Sequence, residues 1–265
     1  IELKNLDPVG ACDRMMDAHY QKMRFLTDRQ KLFVHDGRRY GHFPHLAEGL
    51  ALEVLKKVHL EYQDGMLHVD EYGEPVELKA LLQYQAKVRT HGMNQQVLKL
   101  ARLDSRIHAL AKEFDANPYA INLENGLFDL ESQTLTPHDP SQLVTKMAPV
   151  SWVQDAECPF WVNFIDQITC GDKELAAYLQ RLCGYCLSGS TQEEVLPILY
   201  GEGANGKSLY LGTMRDLLGS GEYAHTLSPD SILNSRTYGL PYEHRQLEGK
   251  RVALAIEVNR GSTLN

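Results

Sequence analysis

The run Gly201-Glu202-Gly203-Ala204-Asn205-Gly206-Lys207-Ser208 fits the pattern G-x-x-x-x-G-K-[ST]. Gly201, Gly203 and Gly206 lack Cβ atoms and permit the backbone angles of a loop that wraps phosphate. Successive backbone N–H groups of such a loop point inward as an anion nest, and the start of the following helix adds partial positive charge. In that arrangement Lys207 reaches the β- and γ-phosphates and the Ser208 hydroxyl ligates Mg²⁺. Ala204, Asn205 and Leu209 complete the expected nucleotide-contacting set. ATP and Mg²⁺ are therefore the expected ligands, with Lys207 as a catalytic residue. A second chemical group follows about fifty residues downstream, where Glu257 ends the apolar run Arg251-Val-Ala-Leu-Ala-Ile256. An acid at a strand end suits the magnesium shell or the attacking water, so Glu257 is the expected partner of Lys207 and Ser208. A glycine-rich loop that binds nothing and a solvent-facing strand-end glutamate are the bland alternatives. The co-occurrence of the two features favours the functional reading.

These residues need a strand before the loop and a helix after it. Val195 to Tyr200 is a short apolar run fit for a buried parallel strand, and a helix is expected from Lys207 to about residue 218. Upstream, helical spacing covers Pro8 to about Arg24, Leu46 to Tyr62, Val76 to Val88 and Gln95 to Phe114. Lys31 to Val34 and Arg39-Tyr40, joined by His35-Asp36-Gly37, read as a hairpin. Asn117 to Asp139 alternates, with a turn at Asn125-Gly126, and reads as short strands. A proline-punctuated connector leads to helices near Phe160 to Ile168 and Lys173 to Leu187, the latter capped by Asp172. The fold class is thus α/β. Residues 1–114 read as a mostly helical region with a small hairpin, 115–189 as a second region of short strands and helices, and 190–265 as a partial P-loop parallel-sheet domain.

The chain has 265 residues, 43% hydrophobic and 23% charged, with a net charge of −8. An acidic balance argues against a broad duplex-binding surface, though not against a local basic stripe. No apolar run approaches a membrane span, so no membrane partner is expected. The first residue is Ile1 rather than Met, so a segment of a longer chain is expected. Five cysteines without framework spacing suggest a reduced, cytoplasmic setting. Cys183-Gly-Tyr-Cys186 has the spacing of a redox pair, but it sits in an apolar helical stretch and reads as core packing. Arg24, Arg29, Lys31, Arg38 and Arg39, with Tyr40 and Phe43, read as a solvated hairpin over an aromatic core. Contact with single-stranded DNA is the alternative reading of that cluster. Trp152 and Trp161 read as packing residues, and His91, His108 and His138 lack ligand spacing. Tyr238, Tyr242, Arg245 and Lys250, between loop and second strand, are candidates to face a neighbouring subunit.

The loop, the strand Leu247 to Glu257 and the upstream stretches Asn117 to Pro140, Ala148 to Ile165 and Leu175 to Ser208 together resemble superfamily 3 helicases. In particular they resemble the phage/plasmid primase–helicase family that also includes the poxvirus primase-helicase. The resemblance covers roughly Asp115 onward, and Leu32 to Phe43 weakly resembles the start of the same pre-helicase region. It implies an AAA+-related ATP hydrolase and DNA helicase that assembles as a ring, commonly a hexamer. Such a motor acts on single-stranded or forked DNA in replication of a phage, plasmid or mobile element, often with a primase domain or other replication proteins as partners. By position, Gly203, Asn205, Gly206, Lys207 and Ser208 take the loop role and Glu257 the acidic one. The continuation Val258-Asn259-Arg260 departs from the family's further acidic or polar residue. The family's pore hairpin, sensor strand and trans-acting arginine are expected beyond Asn265. A ring-assembly and partner-docking scaffold, with little activity of its own, is the alternative function.

Overall fold

The computed structural model describes residues 4–58, 60, 68–69, 72, 74–75, 77–88, 90–228 and 246–255. The chain divides into two units, residues 1–114 with 139–143 and residues 115–138 with 144–265.

In the first unit β1 (Lys4–Asn5) leads into α1 (Pro8–His19). Asp7 caps α1 by accepting from Gly10 N at 2.7 Å, and Pro8 stands at the helix start, where a missing N–H costs nothing. A Cβ on Gly10 would stand 2.1 Å from Asn5 O, so only glycine fits there. The helical pattern expected as far as Arg24 ends early. A 3₁₀ turn, Tyr20–Lys22, delivers the chain into β2 (Met23–Leu26). β3 (Lys31–His35) and β4 (Tyr40–Gly41) form the expected hairpin, Asp36 Oδ1 accepting from Arg38 N and Arg39 N in the turn. α2 (Pro44–Leu55), β5 (His68–Val69), α3 (Leu78–Val88) and α4 (His91–Ala101) follow, with β1 and β5 paired in parallel.

The helix expected to run to Phe114 breaks at Ala101. The Asp104 carboxylate accepts from Arg106 N at 2.9 Å and binds its guanidinium, turning the chain. Ile107 is thereby buried, and β6 (His108–Ala109) joins β2 in parallel. The sheet order is β4-β3-β2-β6. Met15 and Met16 of α1, Leu55 of α2, Leu81 of α3 and Val97 of α4 meet Met23 and Val34 of the sheet in one core.

In the second unit β7 (Ala120–Leu123), β8 (Gly126–Asp129) and β9 (Thr134–Thr136) form an antiparallel meander. Glu124-Asn125 is the turn, and Gly126 at φ +152° passes so close to β9 that a Cβ would meet Thr136 O at 2.4 Å. After an irregular connector come α5 (Pro159–Ile168) and α6 (Lys173–Leu187). Asp172 caps α6 by accepting from Glu174 N and Leu175 N. α7 (Lys207–Leu218) packs on the parallel pair β10 (Ala224–Leu227) and β11 (Val252–Ala255). Tyr210, Met214 and Leu218 recur every fourth residue, so one face of α7 enters the core with Ile121, Phe128, Ala148 and Ala224.

The fold is mixed α/β, with seven helices and several small sheets among the described residues. The expected strand at Val195 to Tyr200 is a correction. That run is not a strand, and Val195, Leu196, Ile198 and Tyr200 are 56, 67, 68 and 89% exposed. Pro197 lacks the N–H an interior strand must donate, and no strand among the described residues offers this run a ladder. Only Leu199 of the run packs against the core. In the second unit, the parallel sheet among the described residues is limited to β10 and β11. Of the expected run Arg251 to Ile256, Val252–Ala255 forms β11, with Leu254 buried and Ala253 exposed.

Candidate functional site

Gly206 closes the loop and opens α7. Its φ is +80°, and a Cβ there would stand 2.4 Å from Ile168 Cγ2 and 3.1 Å from Phe164 Cε2 of α5. Both the left-handed backbone and the close approach require glycine. Gly201, at φ +148°, also needs glycine for its backbone, although an added Cβ there would meet only the movable end of the Asn205 side chain, Nδ2 at 2.3 Å. Gly203 differs from expectation. Open space surrounds it, and Ala204 takes the left-handed position instead, at φ +60°.

Lys207 turns its side chain back over the loop. Its Nζ donates to Gly201 O at 3.1 Å, Glu202 O at 3.2 Å and Asn205 Oδ1 at 2.5 Å. The ammonium has three protons, so the loop oxygens match its donor capacity. The first-turn N–H groups of α7 lack intrahelical acceptors, and Gly206 supplies no side-chain cap. Ser208 and Leu209 are exposed on that turn. The result is a solvent-open loop that gathers one fixed cation and a helix N-terminus.

Below the loop, Tyr210 anchors α7. Its Oη donates to Leu179 O at 3.0 Å and lies 3.0 Å from Cys183 Sγ, both on α6. The ring stacks on Trp161 of α5, with centroids 5.9 Å apart and an interplanar angle of 17°. Burial holds the Tyr210 phenol far above its usual range, with the Cys183 hydrogen bond adding to the rise. Burial also raises the Cys183 thiol, and pushes Cys186 up to about 11. Both cysteines pack against the core, in keeping with an apolar rather than a redox role.

Arg251, just before β11, is a feature sequence reading passed over. Its Nη1 donates to Leu187 O at the end of α6, and its Nη2 donates to Ala120 O at the start of β7. The guanidinium carbon lies 4.5 Å from the Tyr223 ring centroid. Desolvation draws the Arg251 pKa down, while Tyr223 and Asp115 oppose it. Tyr223 is itself fixed, its Oη accepting from Asn122 N at 3.0 Å, and burial pushes its phenol up to about 12. An arginine ahead of an apolar run carries no signal of partners so remote in sequence. Lys250 donates to Gly221 O and, at 2.8 Å, to Glu222 O. Glu257, Tyr238, Tyr242 and Arg245 lie outside the described residues.

The basic cluster of the first unit is partly spent on structure. Arg24 donates to the carbonyls of Tyr20, Gln21 and Met23 and lies 5.7 Å from the centroid of the buried Tyr40 ring. Arg29, Lys31 and Arg38 are exposed, whereas Arg39 and Phe43 are partly buried. Trp152 stacks on Phe128 at 4.2 Å. His108 and His138 face the carbonyls of Arg102 and Leu123, and no cluster of three metal-ligating side chains occurs among the described residues.

A family model described as D5 N terminal like matches residues 12–170. A protein of Acanthamoeba polyphaga mimivirus named "Putative helicase L207/L206" is 36% identical over 112 residues. That stretch is 41% of this chain and 12% of the relative, so the chain aligns with a small part of that protein. The family match starts at Cys12, about a hundred residues ahead of the stretch whose resemblance is plain by eye, and most of the first unit lies within it. Among the described residues no helix is long and apolar enough to cross a membrane. Spanning well over half of the chain, the match shows that this protein belongs to the D5 N terminal like family of phage and viral primase–helicases.

Proposed function

We propose that the chain forms the pre-helicase region and the first part of the motor of a superfamily 3 DNA helicase. The motor would use ATP and Mg²⁺ to replicate a phage, plasmid or mobile element. The observation that carries this reading is the loop before α7, where Lys207 Nζ, within 3.2 Å of three loop oxygens, meets an uncapped helix N-terminus. That donor set fits a triphosphate. Glycine at 201 and 206 brings the backbone close, and the first-turn amides lack other partners. Gly201, Gly203, Ala204, Asn205, Gly206, Lys207, Ser208 and Leu209 would hold ATP, and Ser208 with Glu257 would hold Mg²⁺. Bound ATP and Mg²⁺ supply the cleavable phosphoanhydride and the charge neutralisation that lets it break. Lys207 would exchange its three loop oxygens for phosphate oxygens, and Glu257 would orient the attacking water or help hold Mg²⁺. The full-length protein would act as a ring, of hexameric size, on single-stranded or forked DNA in a cytoplasmic setting. A primase domain or replication proteins would be its partners. In that full-length protein, Lys207→Ala should abolish ATP hydrolysis and unwinding, and normal unwinding by the variant would refute the proposal.

A second reading is a ring-assembly and partner-docking scaffold. It is favoured by the apolar side chains that α5 and α6 leave exposed, among them Phe160 at 90%. A stable oligomer of this chain without ATP turnover would support the scaffold. Turnover stimulated by single-stranded DNA would support the motor.

A further inference from the structure

We infer that Trp161 and Phe164 are positioning residues for the phosphate loop: with Ile168 they clamp both ends of the first turn of α7 on one face of α5. This rests on the nucleotide-site reading and adds to it the part of the fold that aims the loop's amides.

The first turn of α7 runs from Gly206 to Tyr210, whose backbone N donates to Gly206 O at 2.9 Å. The amides between them, those of Lys207, Ser208 and Leu209, have no intrahelical acceptor and no side-chain cap. They are the groups an anion meets at a helix start, so their direction depends on how the two ends of the turn are held. Both ends rest on α5. At the Gly206 end, a Cβ would stand 2.4 Å from Ile168 Cγ2 and 3.1 and 3.2 Å from Phe164 Cε2 and Cζ, so the backbone lies directly against those side chains. At the Tyr210 end, the ring stacks on Trp161 with centroids 5.9 Å apart. Trp161 packs in turn on Phe164, with centroids 5.4 Å apart, which joins the two supports. Positions 161, 164 and 168 are three and four residues apart and so share one face of the helix. The Tyr210 hydroxyl donates to Leu179 O of α6 at 3.0 Å, which keeps its ring from sliding along that face. Ser208 and Leu209, between the two supported ends, stay exposed. An anion site gains from such a mount because the turn is ordered before the ligand arrives. With either end loosened, the ligand would have to order the turn itself, and affinity would fall.

The test compares ATP affinity, by calorimetry at one fixed Mg²⁺ concentration, in the wild-type chain, Trp161→Leu, Trp161→Phe, Phe164→Leu and Phe160→Ala. Amide hydrogen exchange is followed in parallel. Trp161→Leu and Phe164→Leu should bind ATP on the order of tenfold more weakly. The amides of Tyr210, Leu211 and Gly212, whose helical acceptors lie at the start of α7, should exchange faster in both, and those of Asp216 to Leu218 should not. Trp161→Phe keeps a ring against Tyr210 and should recover most of the affinity. Phe160, on the same helix but 90% exposed, supplies the control, and Phe160→Ala should bind as wild type does. Coupling between two sites is reciprocal, so ATP should slow exchange in α5 of the wild-type chain and do so less in Trp161→Leu. Should Trp161→Leu fail to fold, Phe164→Leu, which loosens the other end of the turn, decides the matter. Folded leucine variants with wild-type affinity would overturn the inference. So would faster exchange spread evenly along α7, the mark of lost packing alone. Absence of ATP binding by the wild-type chain would instead remove the nucleotide reading. Exchange at Tyr210 to Gly212 in the leucine variants would then still decide whether α5 is the clamp.

Discussion

Lys207 and Asn205 stand two residues apart and face each other at 2.5 Å across the loop, which keeps the ammonium in place by neutral oxygens alone. Neutral acceptors hold a cation less strongly than phosphate oxygens do, so the contact is one that an anionic ligand can displace. Gly206 is the least replaceable residue of the loop. Gly206→Ala places a Cβ at 2.4 Å from Ile168 in a left-handed backbone, and should cost roughly 1–3 kcal/mol in thermal or urea unfolding. A variant as stable as wild type would contradict the packing described. The cysteines give a second check. Cys158 and Cys170 are exposed, whereas burial pushes Cys12 and Cys186 up to about 11. A raised thiol pKa leaves less thiolate near pH 8, so iodoacetamide should label Cys158 and Cys170 well before Cys12 and Cys186, as read by peptide mass spectrometry. The residue types of the loop were legible because glycine, lysine and serine at that spacing have few other uses. Their partners, Ile168 behind Gly206 and Leu179 behind Tyr210, were not, because nothing local in sequence encodes contacts made across separate helices.

At the scale of elements, α6 is the common support of the second unit, and its start is written in the sequence. Asp172 accepts from Glu174 N and Leu175 N, satisfying two of the first-turn donors. Asp172→Ala should therefore cost about 1 kcal/mol in unfolding free energy, whereas Asp172→Asn should recover most of it. An alanine variant melting with wild type would show that the cap does not matter. Helices with such caps or with strong spacing, α5, α6 and α7 among them, were readable within a residue or two. Short strands were not. β2 looked like the tail of α1 because Met23 continues its apolar spacing, and its identity depends on pairing with β3 and β6. Val195 to Tyr200 looked like a buried strand because it is apolar, but Pro197 removes a donor and no ladder is offered.

The whole molecule has two units, and the family match from Cys12 to Cys170 reaches into both. The sequence showed the family plainly from Asp115 onward, where turn chemistry and the loop are distinctive, and only faintly before it. The first unit is assembled from Met15, Met16, Met23 and Leu55, residues that can be exchanged for other apolar side chains without loss of core and so carry little family signature. With a net charge of −8, the DNA contact proposed for the motor would have to rest on local groups rather than on the field of the whole chain. This chain by itself should fail to unwind a forked DNA substrate in a strand-displacement assay, and robust unwinding by it would contradict that expectation. Whether the loop at Gly201 to Ser208 binds a nucleoside triphosphate is decided by equilibrium binding of ATP with Mg²⁺. The wild-type chain and a folded Lys207→Ala variant would be compared by calorimetry. A nucleotide site at this loop requires binding by wild type and an affinity about tenfold or more lower in the variant, the loss expected for a charged hydrogen-bond donor. Equal affinity in the two proteins, or none in the wild-type chain, would contradict it.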